Sequence, residues 1–448
     1  MRQLLREQPT LNGPVVDHPL ARELEGIDGI LRCHNPGMAL RVLQDLQRSV
    51  LWVGEGREGM PAEQVLRAAI LKQRNKWTYD ELSFHLADSR TYRAFCGLGP
   101  FDDTPSRSTL QRNIKTITED TWGLINGHVV RYAREKRVED GRKTRTDATA
   151  VASNIHAPSD SSLLWDSVRV LARLMLRAHE DFGIRRFPDR RRRAKRRALE
   201  VLNTKPHQKR KRVKAYRDLL KVTHETIRYA REGIAQLEAC ADIMTPLLAA
   251  EIRRYIPRVE RVIDQTERRV LHGEQVPAED KIFSIFEEHT DIIIKDQRDI
   301  HYGHKLTVTS GRSGLILDWV IEDGNPADST LAVRMVERQK DLYGRVPRQV
   351  AFDGGFASKD NLREIKDLGV NDVSFSKKRG LDVLDMVKSH WVYRRLRDFR
   401  AGIESWISFL KRSFGLERVD WRGKAGFARY VGASIVAANL VILARRLS

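Results

Sequence analysis

From Met60 to Phe95 the chain reads MPAEQVLRAAILKQRNKWTYDELSFHLADSRTYRAF, with apolar residues recurring three and four positions apart. That is the spacing of helices that bury one face, and it predicts an all-helical segment over residues 1–140. Within it, DDTPSRSTLQRNIKTIT predicts one more helix, with Thr104 as its cap and Pro105 in its first position. Arg107, Gln111, Arg112 and Lys115 project from that helix. It suits either the reading helix of a helix-turn-helix or an ordinary basic surface helix, and the local pattern does not choose between them.

The period changes to two at KTRTDATAVAS, Lys143–Ser153, a strand pattern. Residues 161–280 return to a helical and highly charged pattern, and carry RRFPDRRRRAKRRALEVLNTKPHQKRKRVK from Arg185 to Lys214. Strand patterns resume with TDIIIKD, HKLTVTS, GLILDWVIED and RQVAFDGGF, separated by Gly, Asn and Asp turns. NLREIKDLG then reads as a helix, NDVSFSK as a short strand and RDFRAGIESWISFLKR as a long helix. The predicted architecture is a helical domain over 1–140 followed by an α/β domain with a mixed sheet over 141–160 and 281–448. A basic helical insertion over 161–280 interrupts that domain. No repeat of fixed period is visible.

Charge narrows the partner. The formal net charge is +20 and the pI about 10.0, which favours a polyanion. Cys33, Cys96 and Cys240 are far apart in sequence, so they give neither metal-ligand spacing nor a disulfide framework, and a reducing intracellular setting follows. MRQLLREQPT at the N-terminus has no apolar core of a secretory signal. YVGASIVAANLVILA, Tyr430–Ala444, falls short of the roughly 20 residues of a spanning helix and contains Ser434 and Asn439. A buried terminal helix is expected there, and nucleic acid is favoured over membrane. The run Arg190, Arg191, Arg192, Arg193 suits either phosphate contact or a solvated face.

Candidate chemistry enters with Arg397–Arg412. On a helical wheel Arg397, Arg400, Ser408 and Lys411 fall on the side of Glu404, while Leu396, Phe399, Ile403, Trp406, Ile407, Leu410 and Phe414 form a separate apolar arc. By itself this is an ordinary Arg400–Glu404 pair on a surface helix. Two strand-end acids change that reading. Asp147 lies in RTDATA, and Asp353 ends an apolar strand before Gly354 and Gly355. Three such acids suit two hard divalent cations, which can activate a nucleophile and stabilise a leaving oxygen in phosphoryl transfer. Arg400 and Lys411 would then neutralise phosphates that a lone acid repels. Asp328 and Asp160 read as helix caps, and His301 and His304 sit in an alternating strand.

At these residues the chain resembles the DDE transposases of bacterial insertion sequences, which have an RNase H-like catalytic core. The most specific element is the helix signature Tyr-x2-Arg-x3-Glu-x6-Lys, matched by Arg400, Glu404 and Lys411, with Arg397 at the tyrosine position. TDAT and FDGGFAS resemble the two aspartate strands, and YGHKLTVTS and GNPADS resemble segments between them. SRTYRAFCGL with TPSRSTLQR is similar to the helical domain that precedes the core. The chain departs from the family's better-known members in placing its insertion between the two aspartates. The resemblance implies a DNA transposase in which Asp147, Asp353 and Glu404 hold two Mg2+ ions, with Mn2+ able to substitute. Water would attack at the transposon end, and the freed 3′-hydroxyl would then attack target DNA. Its partner would be double-stranded DNA, both terminal inverted repeats and target, handled by a homodimer or larger assembly in the bacterial cytoplasm, at the nucleoid. Arg397, Arg400, Lys411, Arg107, Arg112 and the Arg190–Arg193 run are the expected DNA contacts. Rival readings are a structure-specific nuclease on the same core and a non-enzymatic DNA-binding regulator.

Overall fold

The computed structural model describes residues 3–4, 16–33, 35–48, 59–205, 207–295 and 299–447. The N-terminal decapeptide lies outside them apart from residues 3–4. Two compact units emerge, one holding the described residues up to Ser153 and from Ile293 onward, the other Asn154–Ile292.

The first unit opens with helices α1 (Pro19–Cys33), α2 (Asn35–Arg48), α3 (Ala62–Asn75), α4 (Tyr79–Asp88), α5 (Arg90–Phe95), α6 (Arg107–Ile114) and α7 (Glu119–Glu135), followed by strand β1 (Lys143–Ala152). The second unit contains α8 (Asp160–Phe182), α9 (Arg191–Asn203), α10 (Lys209–Glu238) and α11 (Thr245–Thr266). The chain returns to the first within β2 (Asp291–Lys295), followed by β3 (Asp299–Gly311), β4 (Ile316–Ile321), α12 (Ala332–Tyr343), β5 (Gln349–Phe352), α13 (Lys359–Asp367), β6 (Asp372–Phe375), α14 (Val383–Met386), α15 (His390–Phe414) and α16 (Lys424–Leu447). Asp296, counted with the strand pattern TDIIIKD, is outside the described residues.

The sheet is mixed, as the strand patterns predict. Its order is β2-β3-β1-β5-β6, with β4 also paired to β3. β1 runs antiparallel to β3 and parallel to β5, and β5 runs parallel to β6.

The first 140 residues were expected to stand as a domain of their own. They instead share one continuous core with the sheet, reaching from Leu24, Ile70 and Trp122 through Val308 and Leu317 to Leu410 and Ala444. The cause is α16, which is buried on every side from Phe427 to Ala444 except at Arg429. A helix apolar all round needs cover all round. It receives it from α1, α3 and α7 and from α15 and β4. Among the described residues α16 alone is long and apolar enough to cross a membrane, with mean hydropathy 1.7 over its most apolar stretch, yet 94% of that stretch is buried. Its two polar interruptions have partners. Ser434 accepts from Gln73 at 2.9 Å, and Asn439 accepts from the Ile316 amide at 2.9 Å and donates to Asn126 at 2.7 Å.

The inserted unit has its own core, centred on Leu164, Leu171, Leu219, Val222, Ile252 and Val259. Its edges differ from the expected 161–280. β1 ends at Ala152, and Ile282 and Ile285 are buried in the insertion's core. Asp160 is not the cap of α8; Ser159 is, and Asp160 instead accepts from Arg269 at 2.9 Å.

The segment SRTYRAFCGL is organised by Arg93, which is 8% exposed. Its guanidinium donates to the carbonyls of Leu86, Gly99 and Asp102 and to the Thr104 hydroxyl. The following helix begins at Arg107, so its cap is Ser106 and not Thr104, and Pro105 lies outside it. Arg93→Met strands several acceptors at once, so a stability loss of about 3 kcal/mol is expected, read as a lower denaturant midpoint. Arg93→Lys recovers only part of it, because one ammonium cannot reproduce the guanidinium fork.

Candidate active site

Strand register brings the two aspartates together. Thr146 of β1 lies opposite Phe352 of β5 in parallel pairing, and the next residue on each strand is an aspartate, Asp147 and Asp353. β5 stops there while β1 runs on, so Asp353 stands at a strand end beside Asp147. Such ends of parallel strands are where α/β sheets hold ligands.

Alternation puts Arg145 on the same face of β1 as Asp147, and α15 packs on β1. Arg145 is 5% exposed; it donates to the Phe399 carbonyl and to Ser310, and its guanidinium lies 4.5 Å from the Phe399 ring. Burial pushes its pKa down to about 10, so it remains charged at neutral pH. This pins α15 across the aspartates. The arc read from the wheel does the rest: Leu396, Ile403, Leu410 and Phe414 are buried, Phe399, Trp406 and Ile407 are half-buried, and Val392 and Tyr393 extend the buried side toward the start of the helix.

Arg400 and Glu404 then face the strand ends. One guanidinium meets all three acids: Arg400 Nη2 is 2.9 Å from Asp147 Oδ2 and 3.3 Å from Asp353 Oδ1, and Nη1 is 2.7 Å from Glu404 Oε1. The Arg400 and Asp147 side chains are 13% and 14% exposed, and Glu404 is 66% exposed. Burial alone would raise the Asp353 carboxyl. The Ser376 hydroxyl at 2.6 Å, the Gly354 amide, Arg400 and Lys377 outweigh it and hold the group below its usual range. Ionised Asp353 therefore adds stability above the unfolded carboxyl range, and that contribution fades as pH falls through the folded value.

These acids line a cavity of about 660 Å³ together with Lys305, Asp328, Ser408, Lys411 and Arg412. Lys305 and Asp328 are the residues that sequence reading did not place in the site. Asp328 does not cap a helix through its side chain; its carboxylate pairs with Lys305 at 2.5 Å. Lys305 also donates to the Pro326 carbonyl at 2.6 Å. Lys305 lies in the stretch of β3 that is buried from Gly303 to Gly311, where an ammonium needs partners. The two glycines after Asp353 serve the same neighbours. A Cβ on Gly355 would fall 2.6 Å from Asp328 Oδ2, and one on Gly354 would fall 2.7 Å from the Lys377 side chain.

The remaining expected contacts lie elsewhere. Arg397 is exposed on α15 and does not line the cavity. Arg107 and Arg112 are exposed on α6, Arg107 pairing with Asp80 at 3.2 Å. Lys115, expected to project, is half-buried with its ammonium 5.8 Å from the Trp421 ring. His304 is buried edge-on against Phe427, and His301 is half-buried. In the inserted unit Arg190 pairs with Glu225 at 3.4 Å, Arg191 with Asp189 at 2.8 Å and Arg193 with Asp218; Arg192 is exposed.

Among the described residues no group of three or more His, Cys, Asp or Glu stands close enough to form a ready metal cage. The three acids are instead gathered on Arg400. An anionic cluster held by one cation, flanked by Lys411 and Arg412, can bind a cation or a phosphate-bearing strand.

Two family models match the chain. Residues 261–440 match the Transposase DDE domain, a span that includes Asp328, Asp353, Glu404 and Lys411 and begins after Asp147. Residues 38–116 match the Transposase domain (DUF772), which takes in α3 to α6 with Arg93, Arg107 and Arg112. No curated protein and no solved structure matches the chain. Two transposase domains follow one another here, and the second spans two of the three clustered acids; the chain belongs to the DDE transposases of the insertion-sequence type.

Proposed function

We propose that this transposase cleaves the ends of its element and joins the freed 3′-hydroxyls to target DNA on an RNase H-like core. The observation that carries the reading is the meeting of Asp147, Asp353 and Glu404 on one guanidinium in one cavity. A mixed sheet with acids at neighbouring parallel strands, crossed by an acid-bearing helix, suits that core.

The donor set fits a divalent metal. Three carboxylates supply oxygen ligands of the kind hard cations take, and the Arg400 guanidinium stands in for the positive charge that holds them together. Asp147, Asp353 and Glu404 would hold Mg2+, with Mn2+ able to replace it. When bound, such ions activate a water or hydroxyl nucleophile and stabilise the leaving oxygen.

The chain's own residues do the rest. Asp147 is carried by β1 and Asp353, just past β5, is held by the Ser376 hydroxyl, while Glu404 is the most exposed of the three and has the most room to change rotamer. Lys411 and Arg412 bring positive charge to a DNA backbone entering the cavity. Arg400 turns toward a phosphate once its carboxylates find other counter-charge. Double-stranded DNA is the partner, with cytoplasmic, nucleoid-associated work on a dimer or larger assembly that can hold two ends at once.

The test is incubation with the DNA flanking its own gene and Mg2+, mapping nicks and joined products. Nicks at the ends followed by joined strands are expected. Nicks without joining would identify a nuclease, and binding without nicks a regulator.

A further inference from the structure

We propose that the inserted unit holds DNA through one face of α10, the line Arg210, Lys214, Arg217 and Lys221, and not through the Arg190–Arg193 run. The choice of partner rests on the reading of the chain as a DNA transposase; the choice of surface rests on the observations below.

Steps of four, three and four residues keep the four side chains within about 60° of one another on the helix, over about 16 Å of its length. All four are exposed. The opposite face is spent on the core, with Ala215, Tyr216, Leu219, Leu220, Val222 and Thr223 buried. The line therefore has only one way to point, toward solvent or a partner.

Counter-charge separates this line from the other basic residues of the unit. Asp218, the acid nearest in sequence, is taken by Arg193 and by Arg197. Both arginines hold it well ionised, its pKa lowered to about 2. Further along α10 ion pairs resume, with His224 on Glu267, Arg228 on Glu232 and Arg231 on Glu260. Among the described residues no carboxylate pairs with Arg210, Lys214, Arg217 or Lys221. The arginine run that stands out in the sequence is mostly neutralised within its own unit.

The arrangement also breaks two local rules. α10 begins KRKRVK, which places cations at the helix end whose dipole favours anions. Its neighbours Arg210 and Lys214, Lys214 and Arg217, Arg217 and Lys221 are like charges at repulsive spacing, each pair costing a few tenths of a kcal/mol. An anionic partner removes both conflicts, and rule-breaking of this kind marks functional surfaces. Duplex DNA carries about one charge per 1.7 Å of axis, dense enough to meet every cation in the line. The line contains no apolar side chain, so it offers nothing to insert into a lipid surface.

The experiment uses the full chain and a labelled duplex, with binding measured across a salt series. In Arg210→Gln/Lys214→Gln/Arg217→Gln/Lys221→Gln the slope of log affinity against log salt is expected to shrink by roughly 3 to 4, at about 0.9 per lost phosphate contact. Its melting temperature is expected to hold or rise, since repulsion is removed, which separates lost contact from lost fold. Arg190→Gln/Arg191→Gln/Arg193→Gln is expected to change the slope by less than one contact. A quadruple variant that keeps the wild-type slope overturns the proposal while leaving the transposase reading intact. If the wild type binds no duplex at any salt, both fail. If the quadruple variant loses binding to phosphatidylserine vesicles but not to duplex, the surface belongs to a membrane and the proposal is overturned.

Discussion

Asp147→Asn, Asp353→Asn and Glu404→Gln are each expected to cut strand cleavage by about a thousandfold or more, roughly 4 kcal/mol of transition-state stabilisation. Duplex binding should stay close to wild type. The three side chains converge on one cation and line one cavity, and an amide keeps the shape of a carboxylate but lacks the charge that gathers cations. Lys411→Ala should behave differently, because an ammonium in the same cavity attracts phosphate and cannot bind metal. Raising protein concentration in single-turnover cleavage should partly rescue Lys411→Ala, whose defect is in binding, and should not rescue Glu404→Gln, whose defect is in the chemical step. Equal rescue of both would remove Glu404 from the chemistry. Near-normal cleavage by either aspartate variant would remove that aspartate.

The parts of this site that follow from local periodicity were legible in the sequence. The alternation around Asp147 gives a strand, the apolar run before Asp353 gives a strand end, and the wheel of α15 separates its buried arc from Arg400, Glu404 and Lys411. What periodicity cannot supply is register. That Asp147 and Asp353 stand side by side depends on Thr146 facing Phe352, more than two hundred residues away. Lys305 and Asp328 were hidden for the same reason, since a strand lysine and a turn aspartate read as surface residues until the fold joins them. The start of α6 shows the limit of local cap signals: Thr104, Ser106 and Ser108 are all good caps in sequence, and the structure uses Ser106 while Thr104 accepts from Arg93. The partners of the Arg190–Arg193 run were hidden in the same way: Arg190 and Arg193 meet Glu225 and Asp218 of a helix that comes later in the chain. The single core shared by α1 to α7 and the sheet follows from α16, whose all-round apolar surface was visible in the sequence but whose neighbours were not.

Arg400→Ala is expected to give the second large effect, and it can be read without any catalytic assay. In the chain without metal, Arg400 is the cation that all three acids share. Removing it leaves carboxylates facing one another, with Asp147 only 14% exposed. Breaking a pair that is largely buried costs about 2 kcal/mol or more, so in chelator Arg400→Ala should melt several degrees below wild type. Glu404, at 66% exposure, contributes little to that loss. Adding Mg2+ should reverse the order of response. A ligand that binds only the folded state stabilises it by RT ln(1 + [L]/Kd), so tighter binding gives a larger shift at the same concentration, and in wild type an incoming cation competes with a guanidinium already seated among the acids. Arg400→Ala has no such competitor, so its melting temperature should rise more on Mg2+ addition than that of wild type, at lower Mg2+. Arg400→Lys, which keeps one positive charge but not the fork that reaches several carboxylates, should fall between them. Arg400→Ala/Glu404→Gln should lose most of the gain, because a donor is gone along with the competitor. If Mg2+ shifts wild type and Arg400→Ala by the same amount, the guanidinium does not occupy the cation's place. The convergence of acids on it would then be an ion-pair network that serves the fold alone.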